Sequence, residues 1–92
     1  MIHLHGTVAT ASASLYMTKL CKHFRHKISV EFDERQARAD FPYGHCLMRA
    51  EPDLLRFECQ AADAESLARM RAVLDDHLPR FSRQEGLVIQ WL

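Results

Sequence analysis

Residues 28–61 read ISVEFDERQARADFPYGHCLMRAEPDLLRFECQA, and their alternation decides the fold. Ile28, Val30 and Phe32 alternate with Ser29, Glu31 and Asp33, and the polar step Asp33-Glu34-Arg35 leads into Ala37, Ala39 and Phe41, which is the pattern of a β-hairpin. Pro42-Tyr43-Gly44 makes the next turn, because Pro presets φ and Gly tolerates a left-handed position. His45 to Ala50 forms a further strand. Glu51-Pro52-Asp53 then reverses the chain into Leu55, Phe57 and Cys59, which face away from Arg56 and Glu58. Four strands in a meander result.

The flanks complete the pattern. Ile2, Leu4 and Val8 alternate with His3, His5 and Thr7, so the chain opens on a strand with one apolar face, and Gly6 inside it marks a bulge. Thr10 and Ser12 are candidate N-caps for a helix in which Ala13, Met17, Leu20, Cys21 and Phe24 recur at helical spacing to about His26. Asp63 caps a second helix with the stripe Leu67, Met70, Leu74 and Leu78, which Pro79 should end or kink. Leu87, Ile89 and Trp91 form one side of a last strand. The expected order is β-α-β-β-β-β-α-β: one α+β domain over residues 1–92, a two-layer sandwich with a mostly antiparallel sheet of about six strands and two helices on one face.

Composition excludes several classes of function. Twelve Lys and Arg balance twelve Asp and Glu, so no global field attracts nucleic acid or an anionic membrane. Met1 to Val8 alternate and carry no basic leader, unlike a signal peptide, and no stretch approaches the roughly 20 apolar residues of a membrane span. Cys21, Cys46 and Cys59 are odd in number and widely spaced, which suits buried reduced thiols better than a disulfide framework. The expected location is the cytoplasm.

The densest chemistry lies in Cys21-Lys22-His23-Phe24-Arg25-His26-Lys27. Its plain reading is a helix end, where cations complement the dipole. Its functional reading is a surface for an anion or a metal: Lys22 and Lys27 supply charge, and His23 and His26 supply donors. Iron or zinc would need more ligands, and Cys46 or Cys59, reaching up from the sheet, are better placed than Cys21. Cys46 beside His23 is also the pair a thiol enzyme would need, with His23 as general base. If every element reverses direction, His3, His5, His23, His26, His45, Cys46 and Cys59 gather at one end of the sheet and His77 sits at the other. Around His77, Arg80, Arg83 and Glu85 form a second cluster whose guanidinium forks suit carboxylates or phosphates. His3, His5 and His45 share the open sheet face. Leu47, Leu54 and Val88 lie there too, as surface for a homodimer or another protein.

Thr10-Ala11, Leu20-Cys21-Lys22-His23-Phe24-x-His26-Lys27, Val30-Glu31-Phe32-Asp33, Phe41-x-x-Gly44 and His77-Leu78-x-Arg80-Phe81 with Arg83 and Glu85 together resemble the small bacterial domain-of-unknown-function family 2218. The resemblance runs over nearly the whole chain, and Pro79 is its departure. It implies a stand-alone domain or one fused to flavin-dependent siderophore-interacting reductases, and so a role in iron handling. The expectation is an auxiliary binding domain for an anionic small molecule or iron chelate, with Lys22, His23, His26, Lys27, His77, Arg80 and Arg83 as ligand-binding residues. The alternatives are a small metal- or Cys/His-dependent enzyme, with His23, His26 and Cys46 on iron or zinc, and a protein-interaction module.

Overall fold

The computed structural model describes residues 1–92. Its elements follow the expected order: β1 (Ile2–Ala9), α1 (Ala13–Phe24), β2 (Ser29–Phe32), β3 (Gln36–Phe41), β4 (Gly44–Ala50), β5 (Leu54–Ala61), α2 (Ala64–Phe81) and β6 (Gln90–Trp91). The strands form one six-stranded sheet in the order β2-β3-β4-β5-β1-β6, antiparallel at every pairing. Both helices cover one face of it.

Helix-facing residues of neighbouring strands line up in rows. Val30, Ala39, Cys46, Cys59 and Leu4 make one, and Phe32, Ala37, Met48, Phe57 and Gly6 make the next. Onto these rows α1 lays Ala13, Met17, Leu20, Cys21 and Phe24, and α2 lays Leu67, Met70, Leu74 and Leu78, all buried. One cluster of 21 buried residues results. Tyr16, which the stripe did not include, is buried with them.

Local chemistry sets the ends of the elements. Asp33 Oδ1 accepts from the backbone N–H of Arg35 and Gln36, 2.7 and 2.9 Å away, closing the first hairpin, and these bonds hold its carboxyl below the usual range. Asp63 caps α2 by accepting from Ser66 N at 2.8 Å. At α1 the N-cap is Ser12, whose side chain makes no cap bond; its own N–H donates instead to Thr10 Oγ1 at 3.0 Å.

Four expectations change. The first strand has no bulge, because the register runs unbroken through Gly6 paired with Phe57. Gly6 is there for room: a Cβ would stand 2.7 Å from the Trp91 ring and 2.8 Å from Ile89. Gly44 likewise has no left-handed φ, a conformation confined to Gly86 at φ 61°. A Cβ on Gly44 would strike the Gln60 carbonyl and stand 2.8 Å from Met70 Cε. Pro79 does not end α2, which continues to Phe81; fully buried Leu78 anchors this turn to the core, and Ser82 Oγ donates to the Leu78 carbonyl at 2.8 Å.

The fourth change matters most for the site. His77 is not at the far end from His23; their rings are 4.8 Å apart. The elements do reverse direction, but the sheet end at which a helix begins does not fix where along its length it meets its neighbour. α1 has 12 residues and α2 has 18, so at 1.5 Å per residue they are ~18 and ~27 Å long. The last turn of α1, with His23 and Phe24, meets the turn of α2 that carries His77.

Gly44→Ala tests the close approach beneath Met70. Overpacking against a backbone carbonyl should cost about 2–3 kcal/mol, read as a lower urea midpoint at unchanged slope. A loss below about 0.5 kcal/mol would show that Met70 yields freely.

Candidate functional site

Where the two helices meet above the β3–β4 turn, a groove of about 270 Å³ opens, lined by His23, Phe24, Lys27, Ile28, Phe41, Pro42, Tyr43, Val73 and His77. Its position follows from local sequence. Phe24 closes the apolar stripe of α1, and the backbone N–H groups of Lys27 and Ile28 both donate to the Phe24 carbonyl at 3.0 Å, folding the chain back toward β2. This tight exit sets Lys27 and Ile28 on the rim.

Aromatic rings form a continuous wall. Phe81 lies 5.6 Å from His23, His23 4.8 Å from His77, His77 5.3 Å from Phe24, and Phe24 5.5 Å from Phe41. Tyr43 stacks on Phe41 at 5.7 Å, and the Arg69 guanidinium covers Tyr43 at 4.7 Å. Edge-to-face and offset contacts of this kind give a rigid apolar surface.

Each imidazole has a distinct state. His77 Nδ1 lies 2.7 Å from the Val73 carbonyl. A carbonyl can only accept, so Nδ1 carries the proton and a neutral His77 keeps its lone pair on Nε2. Desolvation, then the neighbouring His77, His26, Lys27 and Arg80, lower the His23 pKa below its ordinary 6.5. His23 is therefore neutral at pH 7, and Lys27 is the cation on the groove rim.

The structure divides the sequence candidates. His23, Lys27 and His77 come together in the groove, and Arg80 stands close enough to depress His23 while paired with Asp76 at 2.9 Å. Lys22, His26 and Arg83 are exposed outside it. Glu85 faces elsewhere: its carboxylate accepts from Tyr16 Oη and, at 3.3 Å, from Thr10 Oγ1, tying the loop after α2 to the start of α1. Phe41, Tyr43 and Val73 were not singled out for a site. The aromatics flanking Pro42 at a turn were the available signal, since only a partner element explains two aromatic rings there.

The proposed metal set of His23, His26 and Cys46 is not assembled. Cys46 is fully buried in the central row of the sheet, with its Sγ 3.7 Å from that of Cys59, while His26 is exposed past the end of α1. No group of three or more His, Cys, Asp or Glu residues is placed to hold a metal ion. On the open face Gln60 stands between His45 and His3 in the cross-strand row. A nucleophilic Cys46 is corrected on the same grounds: its hydrogen bond with Cys59 and its burial hold the thiol protonated, well above its ordinary value. Burial pushes Cys21 up to about 11.

A family model described as "Uncharacterized protein conserved in bacteria (DUF2218)" matches residues 5–92. The chain belongs to this family. Among solved structures, the DUF2218 chain is similar to PA4090 from Pseudomonas aeruginosa, determined by NMR, at 37% identity and a TM-score of 0.83, covering 100% of this chain and 96% of the other. No curated protein matches. No helix is long and apolar enough to cross a membrane.

An NMR titration of the imidazole Cε1–H signals checks the groove electrostatics. His23 should titrate below 6.5, and in His77→Ala its midpoint should rise, since a neighbouring positive charge and a desolvating ring are both removed. An unmoved midpoint would show that the rings do not interact in solution.

Proposed function

We propose that this DUF2218 protein is a cytoplasmic binding domain for a small anion with a flat, apolar body, held in the groove between the end of α1, α2 and the β3–β4 turn. One observation carries the reading: an unbroken aromatic wall that ends on two imidazoles, with the Lys27 ammonium at its rim. Apolar walls bury the body of a ligand, and a few polar groups fix its orientation. Lys27 supplies the cation for the anionic group, and the His77 Nε2 lone pair accepts from a hydroxyl of the ligand.

The size of the groove narrows the ligand. About 270 Å³ is near the lower end of the ~300–1,000 Å³ typical of ligand pockets, so it takes a single aromatic carboxylate or catecholate ring. In its iron-handling form the reading has one arm of an iron chelate enter the groove while the metal stays outside. A siderophore-interacting reductase, which the family resemblance implies, is the matching partner. A second reading, proton transfer, is favoured by the neutral state of His23, a base free at pH 7 beside bound ligand.

Titration of the protein with benzoate, 2,3-dihydroxybenzoate and the ferric complex of the latter, followed by amide and imidazole shifts, tests the assignment. The expected result is a set of shifts confined to the residues around His23, Lys27, Tyr43 and His77. Lys27→Ala should weaken binding about three- to tenfold, and salt should weaken it further. His23 gains its proton only as pH falls below 6.5, so anion affinity should rise from pH 7 to about 5, then fall near pH 4 as the ligand carboxyl protonates. Shifts absent from the groove with all three probes would overturn the reading. Affinity indifferent to Lys27→Ala would overturn the assigned role of that residue.

A further inference from the structure

The face of the sheet turned away from the helices carries a charge pattern that the groove does not use. The register places Glu31, Arg38, Leu47, Glu58 and His5 side by side across β2, β3, β4, β5 and β1. From β2 to β1 the row reads acid, base, leucine, acid, imidazole. Reversed about Leu47, Arg38 meets Glu58 and Glu31 meets the His5 imidazole.

This face is also dished. A shallow depression of about 650 Å³ runs over it, and its charged lining is balanced: Arg38, Arg49 and Arg56 against Glu31, Asp33 and Glu58. Such a balance selects neither a simple anion nor a simple cation. It suits a second surface with the same mixture of signs. Arg38 pairs with Asp40 at 3.0 Å, and Arg56 pairs with Glu51, each through Nε, so the terminal nitrogens of both stay available. Arg49 has no ion pair within the chain and stands directly opposite Arg56.

We infer that this face is a homodimer interface with a two-fold axis along β4. Leu47 then meets its own copy at the centre, Arg38 faces the partner subunit's Glu58, and Glu31 faces the partner subunit's His5, each pair occurring twice by symmetry. The strands from β2 to β1, four to eight residues each at about 3.3 Å per residue and about 4.8 Å apart, offer ~500 Å² in projection. Side-chain relief brings this near the ~800 Å² per partner of a standard interface. The one adverse contact is Arg49, which the axis sets against its own copy. Removing that charge should therefore tighten the dimer.

Sedimentation equilibrium on the full chain, at protein concentrations from about 5 to 500 μM, tests the inference. The parent protein should dimerise within that range. Arg38→Glu and Glu58→Arg should each weaken the dimer at least about tenfold, by setting like charges face to face. The double variant Arg38→Glu with Glu58→Arg should return to within about threefold of the parent, with the far-ultraviolet circular dichroism of each single variant matching the parent to show that it folds. Arg49→Gln should strengthen association several-fold. A parent that stays monomeric throughout, a dimer indifferent to Arg38→Glu, a double variant no stronger than the singles, or an Arg49→Gln variant no tighter than the parent would each overturn the proposed interface.

Discussion

Close packing of the helices on small side chains is the constraint from which the rest of this structure follows. Ala39, Cys46 and Cys59 lie side by side across three strands, all fully buried, and below them Gly44 pairs with Ala61. Small side chains in facing positions let larger ones interdigitate at crystal-like density. Met70 uses this space, with its Cε where a Gly44 Cβ would stand. Through that contact α2 is seated so that Val73 and His77 come alongside the last turn of α1. The groove is thus a product of backbone proximity in the sheet as much as of the residues that line it.

Polar contacts fix α2 and its following loop. Asp63 holds the helix start, Trp91 Nε1 donates to Asp75 at 2.8 Å in the middle, and Glu85 ties the following loop to Tyr16 and Thr10. Single hydrogen bonds of this kind contribute about 1 kcal/mol each. Together they set direction more than stability. Glu85 also raises the Tyr16 pKa, first through the hydrogen bond they share, so the phenol keeps its proton.

Most of the architecture could be read from residue order. Alternation in Ile2 to Val8 and in Val30 to Cys59, with the stripes of the two helices, identifies every element but the short β6, which Leu87, Ile89 and Trp91 mark, because burial on one face of a strand or helix leaves a period in the sequence. The site was less legible. The density of Lys22, His23, His26 and Lys27 pointed to the correct helix end, yet only His23 and Lys27 reach the groove. A run of charge records composition, whereas the groove depends on how α1, α2 and the β3–β4 turn meet over the sheet. The meeting of His23 with His77 joins residues 54 positions apart. Gly44 was read as a turn residue because turn chemistry is local, while its actual reason, the closeness of Gln60 and Met70, is tertiary.

The three cysteines have a further consequence. Cys21, Cys46 and Cys59 are free thiols, fully buried, with Cys46 and Cys59 adjacent in the middle of the sheet. No alkylating reagent can reach them unless the helices lift away from the strands. Thiolate chemistry thus becomes a clock for the opening of the core, and the labelling of the central pair follows the free energy of its most protected unit. The protein carries an intrinsic gauge of its own breathing, placed where a spectroscopist would otherwise have to engineer one.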